Sequence, residues 1–152
     1  MTTRFNSSSG SQPDHSQYNA PAVVLAGGSA IVLGSLLPFV SFNDIGVDVT
    51  APAKAMSTAF GFVVIALAIT LRRAVQQPAR RITSLATLGL SGLGCLGYAG
   101  FIALGIVGWP ANDGLGDSYT VTFSPNIGVL LSLAGCVAAS FAAIRSLQDR
   151  ES

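Results

Sequence analysis

Four stretches of this 152-residue chain stay apolar for close to the roughly 20 residues that cross about 30 Å of hydrocarbon, and none holds a charge in its interior. They run over about 21–42, 52–71, 84–109 and 125–144, with Lys54 at the edge of the second, where its stem can carry the ammonium outward. Hydrocarbon offers no partner to a backbone N–H or C=O, so each run must satisfy its own as a helix. With 50% hydrophobic residues, 10% charged ones and a mean hydropathy of +0.58, the chain falls outside the range of soluble domains. A formal net charge of +1 gives no ground for nucleic-acid binding.

Charge distribution says more than charge sum. Arg72, Arg73, Arg80 and Arg81 all fall in the joint between the second and third runs, while the other two joints hold Lys54 alone. Arginine is retained on the cytoplasmic side, so this joint is the topology anchor and both termini are expected in the cytoplasm, in agreement with Arg4, Arg145 and Arg150. The expected domain layout is a disordered tail over 1–20, rich in Ser, Gln, Asn and Thr, a transmembrane domain over 21–145 and a short cytoplasmic tail over 146–152. A cleavable leader is the rival, since Ala51-Pro52-Ala53 resembles a small-residue cleavage site. Against it stand a lone Arg4 far from the apolar run and a run longer than the roughly 7 to 15 residues of a leader.

Small residues recur at four-residue spacing within the runs: Ala22, Ala26, Ala30 and Gly34 in the first, Ser91, Cys95, Ala99 and Ala103 in the third, Gly128, Ser132, Cys136 and Ser140 in the fourth. Such rows share a helix face and let backbones meet, which points to tight packing with the third helix at the centre. Pro38 should kink or end the first helix. In the outward loops Ile45, Val47 and Val49 alternate with polar residues, as do Tyr119, Val121 and Phe123, so both read as short strands that can form an outer cap. Ser124 and Pro125 read as the N-cap and first residue of the last helix.

The loops also share a spacing. Asn43-Asp44-Ile45-Gly46-Val47-Asp48 and Asn112-Asp113-Gly114-Leu115-Gly116-Asp117 both follow N-D-x-x-x-D, which suggests two similar helical hairpins about an axis along the membrane normal. Asp44, Asp48, Asp113 and Asp117 would supply the hard oxygen ligands of a Ca²⁺ site. Turn chemistry accounts for the same residues without a metal, and that is the reading taken.

Little else can carry chemistry. His15 is the single histidine and lies in the tail, so no imidazole is placed for haem ligation or a proton relay. Cys95 and Cys136 lie inside apolar runs without a C-x-x-C pair and read as small packing residues. Proton-coupled exporters of this size use a carboxylate within the membrane, and none falls in these runs. Trp109 and Tyr119 read as interface anchors.

Two segments carry a resemblance. Gly34-Ser35-Leu36-Leu37-Pro38-Phe39-Val40-Ser41 and Ser124-Pro125-Asn126-Ile127-Gly128-Val129-Leu130-Leu131 look like the loop-adjacent ends of small four-span membrane proteins of actinobacteria, most of which have no assigned activity. The outline is also similar to the claudin-like arrangement, although the first outer loop is shorter than in claudins and has neither their tryptophan-glycine-leucine motif nor their paired cysteines. No functional residue is carried over.

The expectation is thus an all-α membrane protein, a four-transmembrane-helix bundle in the cell membrane with short β-strands in its two extracytoplasmic loops. It is expected to be non-catalytic, to need no cofactor, and to act through contacts with another membrane protein or itself as an accessory, assembly or immunity-type subunit. The partner surface is the outer cap: Asn43, Ile45, Val47, Val49, Tyr119, Val121 and Phe123. The alternative is an oligomeric pore or carrier for a small solute, lined by Thr87, Ser91, Ser132 and Ser140. Alkaline phosphatase fused after Gln77 should be inactive in bacteria, and fused after Asp48 or Asp117 active; the reverse pattern would invert the topology.

Overall fold

The computed structural model describes residues 19–41, 51–74, 76–112 and 118–148. They contain α1 (Ala20–Leu36), α2 (Ala51–Arg73), α3 (Gln77–Val107) and α4 (Ile127–Gln148). The last three are each long and apolar enough to cross a membrane, while α1, with 17 residues, is shorter.

Local chemistry sets where each helix stops. α1 ends at Leu36, before the apolar run does, because Leu37 precedes Pro38 and a proline ring forces the residue ahead of it into extended backbone, here φ −86° and ψ 165°. α3 begins at Gln77, well ahead of Ser84, since Pro78 is preorganised for a first turn and Ala79, Arg80 and Arg81 are good helix formers. Arg80 and Arg81 therefore stand on the helix and not in a linker. At the other end Gly108 takes φ 89°, a backbone that side chains resist, and its N–H reaches the Leu104 carbonyl at 2.9 Å.

The start of α4 departs from expectation. Ser124–Pro125 forms a short strand, β4, paired antiparallel with β1 (Val40–Ser41), and the position before the helix belongs to Asn126. The Asn126 Oδ1 accepts from the Ile127 N–H at 2.7 Å, while the Gly128 N–H donates to the Pro38 carbonyl at 3.1 Å and the Asn126 N–H to the Phe39 carbonyl at 2.9 Å. The donors left open at a helix start are thus met by the chain leaving α1, which makes a serine cap unnecessary. A second antiparallel pair joins β2 (Trp109–Asn112) to β3 (Ser118–Val121), and β3 stops short of Phe123. The segment from Phe42 to Thr50, with Asn43, Ile45, Val47 and Val49, lies outside the described residues, as do 113–117.

Around the bundle the order is α2, α1, α4, α3. α1 packs closely on α4 and on α2, α3 packs on α4, and α2 and α3 meet least. This corrects the expectation that the third helix is central: 11% of the apolar window of α3 is buried against 44% of that of α4. It also removes the two-hairpin symmetry, since an axis exchanging the hairpins would make the α1–α4 and α2–α3 contacts equivalent, and they are the tightest and the loosest.

Glycine explains the tight contact. A Cβ on Gly27 would lie 2.6 Å from the Gly135 carbonyl oxygen, and one on Gly135 would lie 2.5 Å from the Gly27 carbonyl oxygen. Gly34 and Gly128 stand in the same reciprocal relation, each with 2.6 Å between its absent Cβ and the other's carbonyl oxygen. On the opposite side of α1, Gly28 faces Gly61 of α2. The expected row on α1 meets this seam only in part: Ala22 and Ala26 are exposed, whereas Ala30, half-buried, has its Cβ 3.2 Å from the absent Cβ of Gly135, and Gly34 is buried in the interface. On α3, Ser91 is buried but Ala99 and Ala103 are exposed; on α4, Gly128, Ser132 and Cys136 are all buried. The apolar core between the helices is correspondingly small in volume, built on Val24, Ile31, Val64, Leu71, Cys136 and Ala139.

Gly135→Ala should lower bundle stability by about 1–3 kcal/mol, the usual cost of forcing atoms into a closed contact. Gly89→Ala, which meets nothing within 4 Å, should leave it unchanged or slightly raised. Unfolding of the two variants in mixed detergent micelles compares them directly.

Candidate functional site

The weak contact between α2 and α3 leaves a cleft of about 390 Å³, inside the range of roughly 300–1,000 Å³ typical of small-molecule sites. Met56, Ser57 and Phe60 line it from α2, and Gly94, Tyr98 and Phe101 from α3, with Phe39 at the end nearer the loops. One aromatic contact sets its depth. The Phe60 ring lies on the bare backbone of Gly94, where a Cβ would come 2.6 Å from the ring edge. Gly97, on the same wall, has nothing within 4 Å of its absent Cβ, so the cleft remains open there.

Hydroxyl pairs cross the α2–α3, α1–α2 and α3–α4 contacts. Ser57 of α2 hydrogen-bonds Tyr98 of α3 at the wall of the cleft. Ser35 of α1 bonds Thr58 of α2 at 2.7 Å, and Thr58 in turn donates to the Lys54 carbonyl at 2.8 Å. Between α3 and α4, Ser140 donates to Ser91 at 2.8 Å and Ser84 pairs with Ser146 at 3.2 Å. Ser91 is also bonded to the Thr87 carbonyl, Thr87 to the Thr83 carbonyl and Ser132 to the Gly128 carbonyl. Away from water a hydroxyl without a partner is costly, so these pairs fix which helix faces meet.

The structure brings together Ser91 and Ser140 of the expected polar seam, and buries Thr87, Ser91 and Ser132 at 0% exposure. Ser91, through Ser140, ties α3 to α4, while Thr87 bonds within α3 and Ser132 bonds within α4 and to the Ile31 carbonyl of α1 at 3.5 Å. Arg72 and Arg73 occupy the last turn of α2, exposed; Arg80, half-buried, and Arg81, exposed, stand at the start of α3. Of the outer-cap residues, Tyr119 and Val121 lie in β3, paired with Ala111 and Trp109. Phe123 is half-buried, its ring 5.0 Å from that of Phe101 and packed over Gly105, so its surface goes to α3. Asn43, Ile45, Val47, Val49 and the four aspartates Asp44, Asp48, Asp113 and Asp117 lie outside the described residues. Among the described residues no group of three or more His, Cys, Asp or Glu is gathered. Cys95 and Cys136 are free thiols, the second buried and the first half-buried beside the core.

Sequence reasoning passed over the cleft residues, Tyr98 above all. A signal was available: Tyr98 is the one tyrosine inside an apolar run, and a phenol at that depth calls for a partner. Comparison with protein families, curated proteins and solved structures finds no match to this chain.

Tyr98→Phe removes the hydroxyl link between α2 and α3 and keeps the ring, so it should cost about 0.6 kcal/mol, the usual size of a hydrogen bond between helices in a membrane. Ser140→Ala should cost a similar amount at the α3–α4 contact. Reversible unfolding in micelles or bicelles measures both.

Proposed function

We propose that the chain is a four-span integral protein of the cell membrane, with both termini in the cytoplasm, that performs no catalysis and works through contact with another membrane protein or with a second copy of itself. α1 counts as the fourth span in this reading, because it runs alongside α4 and about 17 residues is the lower limit for crossing. One observation carries the proposal. The glycines of α1, α2 and α4 all lie against a neighbouring helix, whereas Gly89, Gly92, Gly97 and Gly100 of α3 have nothing within 4 Å of an absent Cβ. Glycine adds no apolar surface and weakens a helix relative to alanine, so four of them on one helix call for a close approach that this chain does not itself supply. The same flank exposes Leu93 and Leu96, at 67% and 72%, which gives a partner helix side chains to pack between.

The contact surface moves accordingly from the outer cap toward the flank of α3. An accessory, assembly or immunity-type role fits an element presented this way. The pore or carrier reading has less support, because the hydroxyls it needs are bonded to one another or to backbone carbonyls.

A photoreactive amino acid at Leu96, activated in living cells, should give a protein adduct of discrete mass, and Gly92→Ile should abolish it while leaving the unfolding midpoint of the purified chain in place. Labelling of lipid alone by the Leu96 probe would overturn the proposal.

A further inference from the structure

We propose that the end of the bundle where α2 passes into α3 holds the phosphate group of an anionic phospholipid. Arg72 and Arg73 finish α2, Arg80 and Arg81 stand in the first turns of α3, and only residues 74–76 separate the helices, so four guanidinium groups share one end of two adjoining helices. Among the described residues no counter-charge stands there. All seven Asp and Glu residues of the chain lie outside the described residues, and none of these four arginines makes an ion pair or a side-chain hydrogen bond. The Nε of Arg80 is shut off from solvent and has no hydrogen-bond partner. A buried donor of that kind is uncommon in a folded protein and calls for an acceptor that the described residues do not supply.

Phosphate supplies what the site needs. The guanidinium fork matches two phosphate oxygens at once. A lipid source follows from position, because these arginines are the first charges beyond apolar helix segments and so stand at the depth of headgroups. The side chains of residues 149–152 are a poor substitute: Asp149 and Glu151 set against Arg150 leave one net negative side-chain charge, against four arginines.

Delipidation of the full-length protein, followed by titration with detergent micelles containing phosphatidylglycerol or phosphatidylcholine, tests this by native mass spectrometry. Phosphatidylglycerol should be retained about tenfold more tightly than phosphatidylcholine. The double change Arg80→Lys with Arg81→Lys, which keeps the charge and hence the topology but removes the fork, should cancel most of that preference. Removal of residues 149–152 should leave it in place. Equal retention of the two lipids, full competition by inorganic phosphate, unaltered preference in the lysine variant, or a preference that emerges only once the tail is removed would each overturn the assignment.

Discussion

The rest of the molecule depends on backbone meeting backbone between α1 and α4. Two helices in lipid gain nothing from hiding apolar surface from each other, so their association rests on how many atoms come within dispersion range. Gly27 and Gly34 on one side, and Gly135 and Gly128 on the other, are each seven residues apart, which is close to two turns, so both pairs stay on the facing sides. At that distance the carbonyl of one helix lies on the Cα of the other, an approach that any side chain would prevent. The same proximity lets the strand leaving α1 hand its Pro38 and Phe39 carbonyls to the first turn of α4. Helix contact and loop-end hydrogen bonding are thus one arrangement, since a wider separation would leave the Gly128 N–H without an acceptor.

Away from that contact the bundle uses a different device. α1 meets α2 partly through Gly28 and Gly61, but with Ser35 and Thr58 bonded beside them, and α3 meets α4 through Ser91–Ser140 and Ser84–Ser146. Each bond is worth little, because a helix loose in the bilayer can satisfy the same hydroxyl on its own i−4 carbonyl, as Thr70 and Thr83 do here. Their value lies in register. A slide of one turn along α3 would part both pairs together, so the hydroxyls select one alignment among several that dispersion alone would tolerate.

Much of this was legible in the sequence and some was not, for reasons that differ by residue. Length and apolarity set the helices, and Pro38, Pro78 and Gly108 set their ends through rules that need no tertiary information. Packing order was not legible. The four-residue row of Ala22, Ala26, Ala30 and Gly34 looked like a seam because alanine and glycine were counted alike, whereas only glycine admits a carbonyl against its Cα. Counting glycines alone gives the seven-residue pairs on α1 and α4 at once. The N-cap at Ser124 failed for another reason: its role passed to carbonyls of a segment more than 80 residues earlier in the chain, which no local pattern contains. The cleft was hidden because it arises from two helices that meet loosely, through Ser57–Tyr98 and Phe60 on Gly94.

That looseness belongs to the middle of α3. At its loop end the helix is fastened by Phe123, whose ring covers Gly105 and whose N–H reaches the Gly105 carbonyl at 3.2 Å. At its arginine end Ser84 is tied to Ser146, and the short link to α2 limits how far the helix can travel. Between these fixed points α3 touches α4 and meets α2 at Gly94 and Tyr98, while the flank with Gly89, Gly92 and Gly100 stays uncovered. A helix pinned at both ends and half-exposed along its length can accept a neighbour without disturbing the α1–α4 contact, which lies on the far side of α4. The glycines that weaken α3 therefore sit where their cost falls on one helix face and leave the core untouched.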